Sequence, residues 1–126
     1  MARPVSLKKV YERMSEKDFE NKIKKWLDEN GCYFIKFFAN GYTKRGVPDI
    51  LASVNGVFVG IEVKAENGTP TDIQIENIRR IRESGGFAWV VYPSGWDQLK
   101  KYLMTIFDMS INGIYCDNDF FTEVLK

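Results

Sequence analysis

Residues 46–64 carry the clearest pattern of hydrophobic and polar positions, with two apolar, β-branched runs on either side of Asn55-Gly56. Asn-Gly is well suited to a two-residue hairpin turn, in which both positions need a positive φ. The pattern therefore predicts an antiparallel hairpin in which Val54 pairs with Val57. One face of this hairpin is apolar throughout and is expected in the core. It carries Ile50, Ala52, Val54, Val57, Val59, Ile61 and Val63.

The opposite face of the predicted hairpin gathers charged residues at one end. The same register places Asp49 directly opposite Glu62, with Lys64 two residues further on. Two carboxylates about 5 Å apart repel each other by roughly 3 kcal/mol at an effective dielectric of about 20. A divalent cation with oxygen ligands, Mg²⁺ or Mn²⁺, would relieve this repulsion. The alternatives are an ordinary solvated stripe of charges, or a β-bulge that moves Asp49 to the other face.

Helical and strand patterns flank the hairpin. Ser15 suits the N-cap of a first helix that Gly31 ends, and Thr69 suits the cap of a second helix that runs to about Ser84. In chain order we predict a helix over 16–30, an aromatic strand over 32–38, the hairpin, a helix over 70–84, a buried strand over 87–92 and a helix after Ser94. This order predicts one α/β domain with a mixed sheet of about four strands, flanked by helices in an αβββαβ core.

The chain of 126 residues fits a single domain over 1–126, with a core over about 16–107. Residues 1–15 form a basic N-terminal arm, and residues 108–126 form an acidic and aromatic C-terminal extension. Net charge is +1, but residues 1–50 hold 11 Lys/Arg against 7 Asp/Glu, which allows a basic face for nucleic acid or a merely solvated helix surface.

The absence of histidine excludes Ser-His-Asp and Cys-His catalysis and histidine-based metal sites. Hydrolysis would then depend on carboxylates, lysine and a hard metal ion. The chain has no apolar run of 18 residues and no recognisable signal peptide, so we expect no membrane partner and a cytoplasmic location.

Several polar residues near the hairpin are candidates for the same site. Glu20 borders the apolar stripe of the first helix, with Glu16 one turn earlier as its substitute, and each is otherwise a surface glutamate. Lys36 is the single charge of the aromatic strand, either an edge residue or a phosphate contact. Gln74 lies on the apolar face of the second helix, where its amide needs a partner.

The loop over 39–47 is polar, basic and glycine-bearing, and it leads directly to Asp49. Lys44 and Arg45 suit contacts with a phosphate backbone, and Tyr42 suits stacking or hydrogen bonding. A loop of this composition can also be a plain connection. Its position immediately before the predicted carboxylate pair favours contact with DNA.

Pro48-Asp49 followed by Glu62-Val63-Lys64 resembles the PD-(D/E)xK nuclease signature. With a hairpin between them, Gln74 and Gly85-Gly86 after them, the wider pattern over about 16–92 is similar to the virus-type replication-repair nuclease (VRR-NUC) domain and to archaeal Holliday-junction resolvases. The resemblance implies a restriction-endonuclease-like fold. It also implies that Asp49, Glu62 and the carbonyl of Val63 hold Mg²⁺ (or Mn²⁺).

The same resemblance implies roles for the other candidates. Lys64 would hold or help deprotonate the nucleophilic water, while Glu20 and Gln74 would position waters and the metal-binding carboxylates. The implied activity is that of a metal-dependent endodeoxyribonuclease acting on branched or junction DNA in replication, repair or recombination. Restriction-type or general nicking activity stays open as an alternative. The resemblance further implies a homodimer, in a bacterial or phage-infected host cell.

Two other classes of function stay open at this point. A catalytically silent DNA-binding or scaffold subunit could retain the nuclease fold, although Asp49, Glu62 and Lys64 are all present. A protein-interaction module is favoured only by the aromatic C-terminal extension.

Overall fold

The computed structural model describes residues 6–112 and 122–126 and shows a five-stranded mixed sheet with helices on both faces. The strands lie in chain order across the sheet, β1-β2-β3-β4-β5. The elements are α1 (Leu7–Arg13), α2 (Glu16–Glu29), β1 (Tyr33–Lys36), β2 (Ile50–Val54), β3 (Val57–Val63), α3 (Asp72–Glu83), β4 (Phe87–Val91), α4 (Trp96–Asn112) and β5 (Val124–Leu125). This arrangement confirms the predicted α/β fold.

The hairpin forms with the predicted turn and the predicted register. Asn55 has a φ of +49° and Gly56 a φ of +87°, and Val54 pairs with Val57. The pairing continues without a bulge to Ile50 opposite Ile61. β1 adds to β2 in antiparallel fashion, whereas β4 runs parallel to β3 because α3 forms the crossover between them.

The larger part of the core lies on the apolar face of the hairpin, under α2 and α4. The buried stripes of these two helices consist of Phe19, Ile23 and Leu27, and of Leu99, Leu103 and Ile106. On the other face, α3 places Ile78 over Ala88 and Val90 of β4. With both faces covered, all five residues of β4 are buried, as its continuous apolar run predicts.

Three local predictions differ from the structure. Part of the predicted N-terminal arm is a helix, α1, capped by Ser6, and it contains no buried residue. α3 begins two residues later than predicted because Thr71, not Thr69, forms a reciprocal capping box with Gln74. Ser94, which the sequence suggests as the cap of the last helix, lies in a 3₁₀ turn before α4. It bonds to the carboxylate of Glu66 through its backbone N–H (3.1 Å) and its hydroxyl (2.7 Å).

The sequence pattern did not predict β5, which pairs in parallel with β4. Leu125 of β5 is 4% exposed and joins the core, so the chain end completes the sheet. Residues 113–121 of the predicted extension, which include Tyr115, Phe120 and Phe121, lie outside the described residues. None of the described helices has the length and apolar character to cross a bilayer.

The backbone of β5 packs directly against Gly95. A Cβ atom there would lie 2.0 Å from the carbonyl oxygen of Leu125. We expect Gly95→Ala to lower the free energy of unfolding by about 1–3 kcal/mol, measured by urea denaturation, because β5 must move. Gly41→Ala is the control, since nothing lies within 4 Å of the added methyl group.

A chain that ends at Glu123 lacks β5 and therefore lacks the clash. In that background Gly95→Ala should cost less than about 0.5 kcal/mol. An equal cost in both backgrounds would mean that the substitution acts through the 3₁₀ turn alone.

Candidate active site

Asp49 immediately precedes β2, and its side chain continues the hydrogen-bond ladder of the hairpin. Its Oδ2 atom accepts a hydrogen bond from the backbone N–H of Val63 (2.9 Å), and its own carbonyl accepts one from Phe37 N–H (2.8 Å). These bonds tie Asp49 to β3 on one side and to the end of β1 on the other. In the observed register, Asp49 is the next residue in line opposite Glu62.

Glu62 is a carboxylate almost removed from water, with 2% of its surface exposed. Its strand neighbours Ile61 and Val63 belong to the core below the sheet, so its side chain points to the α3 face, beside Val90. Its Oε1 atom lies 3.7 Å from Nζ of Lys64. Its Oε2 atom is buried and has no hydrogen-bond partner among the described residues.

Burial and the nearby charge of Asp49 raise the pKa of Glu62 to about 8, and the ammonium of Lys64 only partly opposes this shift. A hydrophobic environment and a like charge both disfavour the ionised form. The positive charge near Glu62 is therefore too small to compensate for its burial and for the charge of Asp49. This is the electrostatic condition that a bound cation would relieve.

Glu20 reaches the same region from α2 through Lys36. Nζ of Lys36 bonds to Oε1 of Glu20 and lies 3.3 Å from Oδ1 of Asp49, while Lys24 lies 3.4 Å from the second oxygen of Glu20. Burial acts to raise the pKa of Glu20, but the bonds to the two lysines hold it below its ordinary value. Burial likewise acts to lower the pKa of Lys36, and its bonds to Glu20 and Asp49 raise it above the ordinary value.

The structure thus places Lys36 on the edge strand and also facing the site, where its ammonium binds two carboxylates. Glu16, the substitute candidate for the first-helix acid, is exposed. Of the two glutamates, Glu20 is the one that the structure joins to Asp49. The feature of the sequence that indicated the contacts of Lys36 was its position as the single charged residue of an aromatic strand.

The residues present fit a hard divalent cation. Asp49, Glu62 and the carbonyl of Val63 supply oxygen donors, which Mg²⁺ and Mn²⁺ prefer, and the unpartnered Oε2 of Glu62 would gain a partner. In the ranges 6–112 and 122–126, no three His, Cys, Asp or Glu side chains form a ready cluster for a metal. The candidate donors are two carboxylates and a main-chain oxygen.

Gln74 is not brought to the carboxylates by any contact in the described structure. Its Oε1 atom accepts a hydrogen bond from Thr71 N–H (2.9 Å) and so completes the cap of α3. The side-chain amide of Gln74, for which the sequence pattern indicated no partner, therefore bonds to the backbone of Thr71 and stabilises the start of α3. Gln74 also lines a groove between the start of α3 and the loop over 39–47.

This groove has a volume of about 670 Å³ and lies beside the predicted DNA-binding loop. Tyr42 in the loop is fully exposed, and the side chains of Lys44 and Arg45 are exposed as well. The groove is lined by Ala39, Asn40, Gly41, Thr43, Arg45, Gly46, Thr71, Ile73 and Gln74.

Asn77 fixes this loop, and the sequence analysis did not identify it. The buried Nδ2 group donates to the carbonyl of Arg45 (3.2 Å) and to that of Ile73 (2.8 Å). Gly46 next to Arg45 has a φ of +78°, and a Cβ atom there would lie 2.7 Å from the Asn77 amide. The signal in the sequence was a polar residue three positions after Gln74, on the same helical face.

The raised pKa of Glu62 predicts a pH-dependent effect of Glu62→Gln on stability. The folded state favours protonated Glu62, so this contribution is complete below the ordinary pKa of 4.5 and is lost as pH rises through about 8. With chelator present, Glu62→Gln should be more stable than the wild type by about 1–3 kcal/mol at pH 9 and nearly equal to it at pH 4.5.

The measurement is urea denaturation at both pH values. The control is Glu76→Gln on the exposed face of α3, where an ion pair with Arg79 lowers the pKa of the carboxyl and no gain is expected at high pH. A Glu62→Gln protein no more stable than the wild type at pH 9 would contradict the burial argument.

Comparison with known proteins agrees with the motif and the fold. The sequence profile of the family described as archaeal Holliday junction resolvase (hjc) matches residues 12–108. A solved structure described as a VRR_NUC domain superposes with a TM-score of 0.60 at 27% sequence identity, covering 72% of this chain and 96% of that chain. No curated protein gives a significant match. The chain belongs to the archaeal Holliday junction resolvase (hjc) family, and its domain is a nuclease domain of the VRR-NUC type.

Proposed function

We propose that this protein is a divalent-metal-dependent DNA endonuclease that selects branched DNA, such as a four-way junction. The observation that carries the proposal is the buried carboxylate of Glu62, with an unpartnered oxygen, next to Asp49 and Lys64 at one end of the hairpin. Such an arrangement is costly for stability and suits a site that binds a cation. The family match supports DNA, and its name supports a junction, as the substrate.

Asp49, Glu62 and the main-chain carbonyl of Val63 would hold Mg²⁺ or Mn²⁺. When bound, the metal would neutralise the scissile phosphate and lower the pKa of a water molecule at the site. Lys64 lies beside Glu62, with its side chain 13% exposed, and would orient the nucleophilic water and stabilise negative charge as the phosphate is attacked. The backbone N–H of Val63 orients Asp49 for this task.

Glu20 would position Asp49 from α2 before the metal binds, since both carboxylates bind the same ammonium group in the metal-free protein. Gln74 would position a water molecule through its amide nitrogen, because its amide oxygen already accepts a hydrogen bond in the cap of α3. Neither residue is required to touch the reacting atoms in this scheme.

The loop over 39–47 would guide DNA to the carboxylates. Lys44 and Arg45 would contact phosphates, Tyr42 would stack on a base or bond to the backbone, and Lys36 at the sheet edge would add positive charge once free of its carboxylate partners. Asn77 holds the loop close to α3 and so limits the positions that these side chains can take.

Cleavage of a four-way junction needs two incisions, and we propose a homodimer with one site in each subunit. The exposed side chains of Tyr33, Ile35 and Phe58 lie on one face of the sheet, next to the hairpin, and support contact with a second copy.

Lys64→Ala tests the proposed role of Lys64 in cleavage. The protein is incubated with linear, flapped and four-way DNA, with Mg²⁺ or with chelator, and the products are resolved on a denaturing gel. We expect the wild type to cut the four-way substrate at paired positions only with Mg²⁺, and Lys64→Ala to cut about 10²–10³-fold more slowly while still binding DNA. Lys101→Ala on α4 is the matched control and should cut normally.

Normal cleavage by Lys64→Ala would refute the role of this lysine. Binding of junction DNA by the wild type without cleavage in Mg²⁺ or Mn²⁺ would favour a catalytically silent DNA-binding or scaffold subunit instead.

Replacement of both Lys44 and Arg45 by Ala tests the DNA-binding loop. We expect about a tenfold or larger loss of affinity for junction DNA in chelator, and a reduction of about 2 in the slope of log affinity against log salt, since two phosphate contacts are lost. Fluorescence anisotropy at several salt concentrations measures both quantities. Lys101→Ala should leave affinity and slope unchanged, and an unchanged slope in the double variant would place the DNA elsewhere.

A further inference from the structure

Lys36 occupies an unusual place for a lysine of an edge strand. Its side chain is 23% exposed, and its ammonium joins two carboxylates that come from different parts of the fold, Glu20 on α2 and Asp49 at the start of β2. The contact therefore links the first helix to the hairpin. A lysine that only solvates the surface would normally extend into water from such a strand.

The ammonium of Lys36 compensates for the negative charges of Glu20 and Asp49. Glu20 and Asp49 each have a side chain less than a quarter exposed, and buried carboxylates of like charge repel unless a cation lies between them. Lys36 supplies that cation within the chain. A divalent ion bound at Asp49 would supply a larger positive charge at nearly the same place, and it would repel an ammonium that stayed 3.3 Å from Oδ1.

In its present position the ammonium also lies near an aromatic ring, a contact that does not depend on Asp49. β1 is the edge strand of the sheet, so the flexible side chain of Lys36 is not enclosed by a neighbouring strand. The ring of Phe38 is 75% exposed and its centroid lies 5.9 Å from Nζ of Lys36. A cation can rest on the face of such a ring at little cost.

We propose that Lys36 is a built-in counter-cation of the site, which holds Glu20 and Asp49 together before a divalent metal binds and leaves Asp49 when it does. The inference rests on the proposed metal site at Asp49 and Glu62. It adds that Lys36 competes with the metal, so the wild type binds metal more weakly than its carboxylates alone would allow. Lys36 is thus a positioning residue of the metal-free protein, and exchange of its partners accompanies metal binding.

The test compares Lys36→Met and Lys36→Gln with the wild type by isothermal titration with MnCl₂ and by thermal melting with and without the metal. Both variants remove the charge, and Met retains the apolar stem of the side chain. We expect the variants to bind Mn²⁺ about tenfold more tightly, to melt several degrees lower in chelator, and to gain more from saturating Mn²⁺ than the wild type gains.

Lys24→Met is the matched control. Lys24 also pairs with Glu20, at 3.4 Å, but no contact joins it to Asp49 in the described structure. Its removal should therefore change Mn²⁺ affinity by less than about threefold.

The outcomes separate this inference from the proposed metal site. If the wild type binds Mn²⁺ and both Lys36 variants bind it equally or more weakly, competition by Lys36 is refuted and the metal site stands. If neither the wild type nor any variant binds Mn²⁺, the metal site itself is refuted, and the inference with it. If only the Lys36 variants bind Mn²⁺ detectably, Lys36 competes strongly enough to prevent metal binding by the wild type at the concentrations used.

Discussion

A carboxylate held out of water is the constraint on which the rest of this structure depends. Glu62 lies in a strand whose neighbours Ile61 and Val63 are fully buried in the core, so it cannot turn towards solvent without a shift of the whole register. α3 covers the other side. The fold therefore fixes an acidic group in a place where its charged form is unfavourable, next to Asp49. Stability alone does not explain this arrangement, whereas the proposed cation would relieve its cost.

The elements that build the core also carry the site. α2 buries Phe19, Ile23 and Leu27 and presents Glu20 to Lys36, while α3 buries Ile78 and uses Asn77 to hold the loop before Asp49. Since these side chains project from packed helices and strands, their positions follow from the packing of the core and depend little on loop conformation. The loop over 39–47 is held at Arg45 by Asn77, while the side chains of its basic residues are exposed to solvent.

The range matched by the family profile contains the candidate site but does not contain β5. The matched range 12–108 includes α2, the hairpin, α3, β4 and most of α4, and thus every residue proposed for metal or DNA. β5 lies beyond this range, yet Leu125 joins the core and its carbonyl packs against Gly95. A segment outside the matched range is therefore part of the sheet.

The sequence alone determined the hairpin, its register and the apolar stripes, because the period of a strand, the turn chemistry of Asn55-Gly56 and helix caps such as Ser15 act over a few residues. It also determined that Asp49 and Glu62 lie opposite each other, since the register follows from the turn. Only the tertiary structure decided the partners of Lys36, the clamp by Asn77 and the place of β5. These contacts join residues 13 or more positions apart in the chain, and the local pattern of a lysine, an asparagine or a two-residue strand does not specify which distant group it will meet.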